Sequence, residues 1–197
     1  MVSQIKVDSV LESSSGNGVT VDGVLIKDGN VDGVDVSGIT QGITMADAWR
    51  LTSNFTVDIP NGVVDTNWER VDTYGYGGIG TGLTESSGVF TFPSTGIYKI
   101  DFFYSAITNG GQVSWYYNLQ TTTDNSSYNS LVGTLRMVTS TANMYGGGAG
   151  SGIFDVTDTS THKIRFYNGT ITGTAPSLRG NTTISETGFN VIRLGDT

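Results

Sequence analysis

Two apolar patterns follow one another along the chain. From Gly18 the residues fall into pentads: Gly18-Val19-Thr20-Val21-Asp22, Gly23-Val24-Leu25-Ile26-Lys27, Asp28-Gly29-Asn30-Val31-Asp32, Gly33-Val34-Asp35-Val36-Ser37 and Gly38-Ile39-Thr40-Gln41-Gly42. Each apolar-x-apolar triplet predicts a very short strand with one apolar face, and the glycine permits a turn at each corner. Period five is neither helical nor a plain strand alternation. Val19, Val21, Val24, Ile26, Val31, Val34, Val36 and Ile39 are therefore the expected packing positions of a stem. One copy has no second layer to cover them, so the stem needs partners, as repeat units do. Three identical chains winding about a common axis would close it and remove its open edges. The competing reading is a floppy acidic linker, against which stands the regular placement of Val and Ile.

From about Ala46 the pattern changes to short strands separated by turn clusters. Strands are expected at Trp49–Ile59, Trp68–Thr73, Val89–Phe92, Ile97–Ile107, Gln112–Thr122, Leu131–Thr139, Gly152–Val156, Lys163–Tyr167 and Phe189–Leu194. Between them lie turn signals such as Pro60-Asn61-Gly62, Pro93-Ser94-Thr95-Gly96, Asn168-Gly169 and Arg179-Gly180-Asn181. In Tyr98-Lys99-Ile100-Asp101-Phe102 the apolar residues share one face. No segment reads as a helix. The expectation is an all-β protein: a stem over 1–44 and a jelly-roll β-sandwich head over 45–197.

Composition agrees and narrows the functions. Gly, Thr, Ser and Asn make up 89 of 197 residues, which suits strands and tight turns better than helices. The net charge of −8 repels phosphate backbones and anionic membranes, so neither nucleic acid nor a membrane is an expected partner. Half of that charge sits in residues 1–44, where Lys6 and Lys27 face six acids. The absence of cysteine excludes disulfide scaffolds, thiolate zinc sites and thiol catalysis. The start, Met1-Val2-Ser3-Gln4-Ile5-Lys6, lacks the apolar centre of a signal peptide. An extracellular role would then need release by lysis or carriage on a particle.

Candidate chemistry is sparse. His162, the only histidine, is expected to face solvent at a strand start. Gly75-Tyr76-Gly77-Gly78-Ile79-Gly80 matches a dinucleotide fingerprint formally, but no helix follows to hold a pyrophosphate, so it reads as a mobile loop. Gly146-Gly147-Gly148-Ala149-Gly150 lacks a following Lys-Ser or Lys-Thr, so close approach between strands or subunits is the better reading. Asp28, Asn30 and Asp32 resemble the first half of a calcium loop, but Ile39 stands where a bidentate Glu is needed, and pentad repetition explains the acids without a metal. Glu85 and Glu186 are not paired by anything in the sequence. Tyr74 and Tyr76, in the glycine-rich loop, could stack on a sugar or could simply pack. Trp115 and Tyr117 should face one way and Tyr116 the other. No catalytic set emerges, and neither a metal nor a cofactor is expected.

One stretch carries a family resemblance: Ser87-Gly88-Val89-Phe90-Thr91-Phe92-Pro93-Ser94-Thr95-Gly96-Ile97-Tyr98-Lys99-Ile100-Asp101-Phe102. Phe90, Pro93, Gly96, Tyr98 and Phe102 match a pattern of the C1q/tumour-necrosis-factor superfamily, and Phe189-Asn190-Val191-Ile192 resembles its closing strand. The resemblance implies a ten-stranded jelly roll assembled as a homotrimer and without catalytic activity. The leader, especially Ile5–Val10 and Gly18–Gly29, resembles N-terminal parts of marine-bacteriophage virion proteins. The expected function is thus a non-enzymatic virion protein, decorating a capsid or forming a short fibre. Its partners would be further copies of itself and capsid or tail proteins bound through residues 1–44. The alternative is a fibre-tip adhesin whose head recognises a host surface glycan or protein.

Overall fold

The computed structural model describes residues 11, 19–21, 24–27, 30–31, 34–35, 42–56, 61–108, 111–140, 143–173 and 176–197. The backbone divides into two compact units, Met1–Gly42 and Ile43–Thr197.

In the first unit, strands β1 (Val19–Val21), β2 (Val24–Lys27), β3 (Asn30–Val31) and β4 (Val34–Asp35) form an antiparallel meander within one chain. Val19 stands opposite Ile26, Val21 opposite Val24, Ile26 opposite Val31, and Val31 opposite Val34. Directly opposed residues share a sheet face. All six positions therefore lie on one face of the ladder, with Thr20, Leu25, Lys27, Asn30 and Asp35 on the other. The described parts of the first four pentads thus pair with each other inside one chain, and their apolar positions fall in register. Val36, Ile39, Asp28 and Asp32 lie outside the described residues.

The second unit contains β5 (Ala46–Leu51), β6 (Phe55–Thr56), β7 (Asn61–Val63), β8 (Trp68–Arg70), β9 (Thr84–Ser86), β10 (Val89–Thr91), β11 (Gly96–Thr108), β12 (Gly111–Thr122), β13 (Asn129–Ser140), β14 (Met144–Val156), β15 (Lys163–Thr172), β16 (Ser177–Leu178) and β17 (Gly188–Gly195). One sheet runs β13-β12-β15-β10-β9, with β7 also on β15. The other runs β6-β16-β11-β17-β5-β8, with β14 along the far side of β11. All pairings are antiparallel, and no helix occurs among the described residues. This is a jelly-roll sandwich.

Strict alternation builds the core. Along β11 every second residue from Gly96 to Thr108 is buried, so Tyr98, Ile100, Phe102 and Tyr104 face inward while Lys99 and Asp101 face outward. Phe90, Phe166 and Phe189 meet at the centre, with Phe189 4.8 Å from each of the other two ring centroids. Trp49 and Trp68 each approach Phe90 edge-on at 5.3 Å. Trp115 and Tyr117 point into the core, while Tyr116 lies on the opposite face stacked with Tyr167.

The residues of the family resemblance occupy this framework. Phe90 and Phe102 are core rings, and Tyr98 packs on Phe92 at 4.5 Å while its hydroxyl donates to the Ser94 carbonyl. Pro93 is exposed in the turn before β11. Gly96 has φ +145°, and a Cβ there would meet the Gly195 carbonyl at 2.6 Å, so the turn admits no side chain.

Several elements differ from expectation. The run Trp49–Ile59 breaks at Thr52-Ser53-Asn54 into β5 and β6, and residues 57–60 lie outside the described residues. Asn61-Gly62, expected to turn, begins the short strand β7 on β15. Asn168-Gly169, also a turn signal, lies inside β15, whose ladder with β12 and β7 overrides the local preference. The glycine run 146–150 is part of β14 itself.

Candidate functional site

The two outer margins of the β11-centred sheet end differently. On one side, β5 and β8 are closed by a buried polar network. Asp47 Oδ1 accepts from the Ala48 amide (3.0 Å), Arg70 Nε (2.8 Å) and the Tyr76 hydroxyl (3.1 Å). Its Oδ2 accepts from Trp49 Nε1 (2.9 Å), the Leu83 amide (2.8 Å) and Arg70 Nη2 (3.1 Å). The carboxylate thereby raises the Arg70 guanidinium, chiefly through the hydrogen bond. Burial, and after it the Asp47 charge, push the Tyr76 phenol up. The fully buried Arg50 donates at 2.7 Å each to Glu69, Asp72 and the Thr73 hydroxyl.

This network fastens residues 71–83 along β5. The Val71 amide donates to Ala48, and Ala46 and Ile79 exchange both backbone hydrogen bonds. The Gly75–Gly80 segment, expected as a mobile loop, is pinned in this way. It also separates the two candidate tyrosines. The Tyr76 hydroxyl is engaged by Asp47 and the Ala48 amide. Tyr74 is 87% exposed, in a left-handed conformation (φ +55°) followed by Gly75 (φ +79°).

At the other margin, β13 and β14 terminate the two sheets, each with one ladder partner among the described residues. The inward positions of β14 are Gly146, Gly148, Gly150 and Gly152, opposite Ala106, Tyr104, Phe102 and Ile100 of β11. A Cβ on Gly150 would come within 2.6 Å of the Phe102 ring, and one on Gly148 within 2.9 Å of the Tyr104 ring. On Gly152 it would meet Leu131 and Val132 of β13 at 2.9 Å. Bare glycine backbone thus covers rings supplied by β11, as the close-approach reading of this segment expected.

The outward positions complete the margin. On β14 they include Tyr145, Gly147, Ala149, Ser151 and Ile153, and on β13 Gly133, Leu135 and Met137, while Leu131 sits at the bulge of β13 beside Gly152. Asp155, the next outward position of β14, is the only charged one on these two faces. Leu135 and Met137 are each 66% exposed, and Leu131, Met144, Tyr145 and Ile153 are exposed as well. These six are most of the large apolar side chains left in solvent over residues 43–197. Open sheet edges are ordinarily guarded by charge or proline, and contiguous exposed apolar surface marks interaction sites. Sequence reading did not single out these six. Apolar alternation in β13 was visible, but not that Val132 takes the core side and Leu135 the solvent side.

The remaining candidates are dispersed. His162, expected in solvent, is buried: its ring stacks on Phe154, Nε2 lies 3.2 Å from the Thr157 hydroxyl, and Nδ1 lies 3.0 Å from that of Thr161. The turn Asp158–Thr161 folds back over it, with the His162 amide donating to the Asp158 carbonyl. Glu85 accepts from the Gly88 amide and Glu186 pairs with Arg179, so the two glutamates have separate structural partners. Among the described residues no three acidic or histidine side chains are grouped to hold a metal.

No family model matches the chain, and no curated protein sequence matches it. Solved structures do share its fold. Eiger TNF from S. frugiperda superposes with a TM-score of 0.58 at 13% identity, covering 79% of this chain and 96% of that one. Murine APRIL at pH 5.0 gives 0.55 at 14% identity, covering 76% and 98%, and its pH 8.0 structure gives 0.54 over the same shares. The head therefore has the TNF-like jelly-roll fold anticipated from the Phe90–Phe102 stretch.

Proposed function

We propose that this chain is a non-enzymatic structural protein of a bacteriophage particle, assembled as a homotrimer. Its head would project while residues 1–44 bind capsid or tail proteins. The observation that carries the reading is the cluster of exposed apolar side chains on β13 and β14. A monomer would leave six large apolar side chains in water beside two strands that each lack a second ladder partner among the described residues. Burying them against copies of the same chain removes both liabilities, and closed cyclic symmetry limits the assembly to a finite size. The N-terminal meander supports the same reading, since six of its register positions form one apolar face. The virion setting rests on the resemblance of the leader to phage fibre and decoration proteins.

The direct test is the mass of the full chain in solution at micromolar concentration. Three chain masses are expected, and one chain mass overturns the assembly. Leu135→Asp with Met137→Asp should yield a folded monomer. Reconstruction of a particle carrying the protein then tests the setting, with density for residues 1–44 expected against a capsid or tail protein.

A second reading is a recognition head, favoured by one observation: Tyr74 is presented to solvent on a turn fastened by Arg50, Thr73 and Tyr76. Binding of the trimer to host cells or surface glycans that is lost in Tyr74→Ala supports it. Unchanged binding, or none, rejects it.

A further inference from the structure

Among the described residues, four buried side-chain polar atoms have no hydrogen-bond partner within the protein: Trp115 Nε1, the Tyr117 hydroxyl, and both Nδ2 and Oδ1 of Asn168. They share one corner of the sandwich. Tyr117 and Asn168 stand directly opposite each other on β12 and β15, so both point to the inner face. Trp115 lies two residues along β12 on that same face. All three residues are at most 1% exposed. Tyr104 of the facing strand β11 comes within 5.1 Å of the Tyr117 ring. Gly62 is the partner of Asn168 on β7, and Ala106 pairs with Gly146 two residues beyond Tyr104.

A buried amide with neither end satisfied is costly and rare in folded proteins. Elsewhere this head satisfies its buried polar groups fully, as Asp47, Arg50 and His162 show. Asn168 is also where local preference is overruled, because Asn-Gly favours a turn and here sits within a strand. A local conflict coinciding with an unsatisfied polar group marks a position held for a reason other than packing. Burial, with Tyr104 beside it, pushes the Tyr117 phenol well up, so it stays protonated and can donate as well as accept.

We infer that the corner bounded by Trp115, Tyr117 and Asn168 is a closed polar pocket that binds ordered water, which bridges the indole and phenol of β12 to the amide of β15. The donor and acceptor inventory fits. Trp115 only donates, Asn168 offers two N–H groups and one acceptor, and Tyr117 serves either role. Buried waters make about three hydrogen bonds each, so about two of them serve all four atoms. An apolar occupant would leave every one unsatisfied. The inference concerns the interior of one head and does not depend on how heads assemble.

The test is a crystal structure of the full chain at a resolution that shows ordered solvent. Solvent peaks within hydrogen-bond distance of Asn168 Nδ2 and the Tyr117 hydroxyl are expected in every protomer. A direct hydrogen bond among the three side chains, or a corner without solvent density, overturns the inference. Tyr117→Phe keeps the ring packing, and in its structure the peak at the hydroxyl position should be lost or displaced. Melting of Tyr117→Phe, Asn168→Leu and the double variant gives an independent readout. Groups joined through shared water should be non-additive, the double variant losing little more than the worse single one. Strict additivity counts against the bridge, and Tyr117→Phe alone decides if Asn168→Leu does not fold.

Discussion

The two margins of the β11-centred sheet solve the same edge problem in opposite ways. Along β5 and β8, charge is drawn inward: Asp47 and Arg50 are buried and spend their hydrogen bonds holding residues 71–83 over the edge. Along β14 the one charge is Asp155 near its end, and the interior positions 146, 148, 150 and 152 are glycine, so the strand lies close on the rings of β11 and leaves apolar side chains outside. The first margin is finished within one chain. The second keeps its apolar side chains in solvent, and on that contrast the proposed assembly face rests.

The largest expected effect comes from breaking the closed margin. Asp47→Ala leaves Trp49 Nε1 and the Leu83 amide buried without an acceptor, and should destabilise the head by about 3 kcal/mol. Arg70 is nearly half exposed, so solvent discounts its share of that loss. The check is a denaturant midpoint at unchanged m-value. A loss below about 0.5 kcal/mol, the range of ordinary surface changes, would show that the strap is held by something else.

Next in size is Gly150→Val, which tests whether glycine is needed beneath the open margin. Its Cβ would meet Phe102 at 2.6 Å, so overpacking of about 1–3 kcal/mol is expected. A structure with β14 unmoved and full stability would contradict the close-approach account. Leu135→Asp with Met137→Asp should change head stability by less, about 0.5 kcal/mol measured on the isolated monomer, because both side chains are exposed there. Its effect belongs to mass, falling from three chains to one. An unchanged trimer would move the interface elsewhere.

The smallest effect concerns the hairpin that carries the open margin. In the turn between β12 and β13, the Asp124 carboxyl is held well below the ordinary carboxylate range by the Ser127 and Ser126 amides and by the Thr122 and Ser127 hydroxyls. Its folded value is depressed, so its stabilisation is present above the unfolded carboxylate pKa and fades as pH falls toward the folded value. Asp124→Asn should flatten the acid limb of the stability profile slightly at pH below about 4. An unchanged limb would mean that the turn is ordered without the carboxylate.

Much of the fold was legible because alternation is a local property. β11, β12 and β17 could be read from period two alone, and the turn before β11 from Pro93 and Gly96. The two-residue strands β6 and β16 carry too little pattern to read and exist only because a neighbouring strand offers them a ladder. Asn168-Gly169 was misread for the same reason in reverse, since pairing on both sides of β15 outweighs a dipeptide's turn preference. His162 looked exposed because polar residues surround it in sequence, whereas Phe154 comes to it from β14. At the candidate site, the glycines of β14 were visible but the six apolar residues outside them were not.

By itself the sequence determined an all-β chain and the jelly-roll character of its head. These follow from periodicity, turn chemistry and composition, which neighbouring residues carry among themselves. The tertiary structure alone decided which apolar stripe is core and which is surface, where Asp47 finds its donors, and which polar atoms in the interior are left facing one another. Each of these depends on what the opposite sheet presents, and that is set by residues distant in the chain.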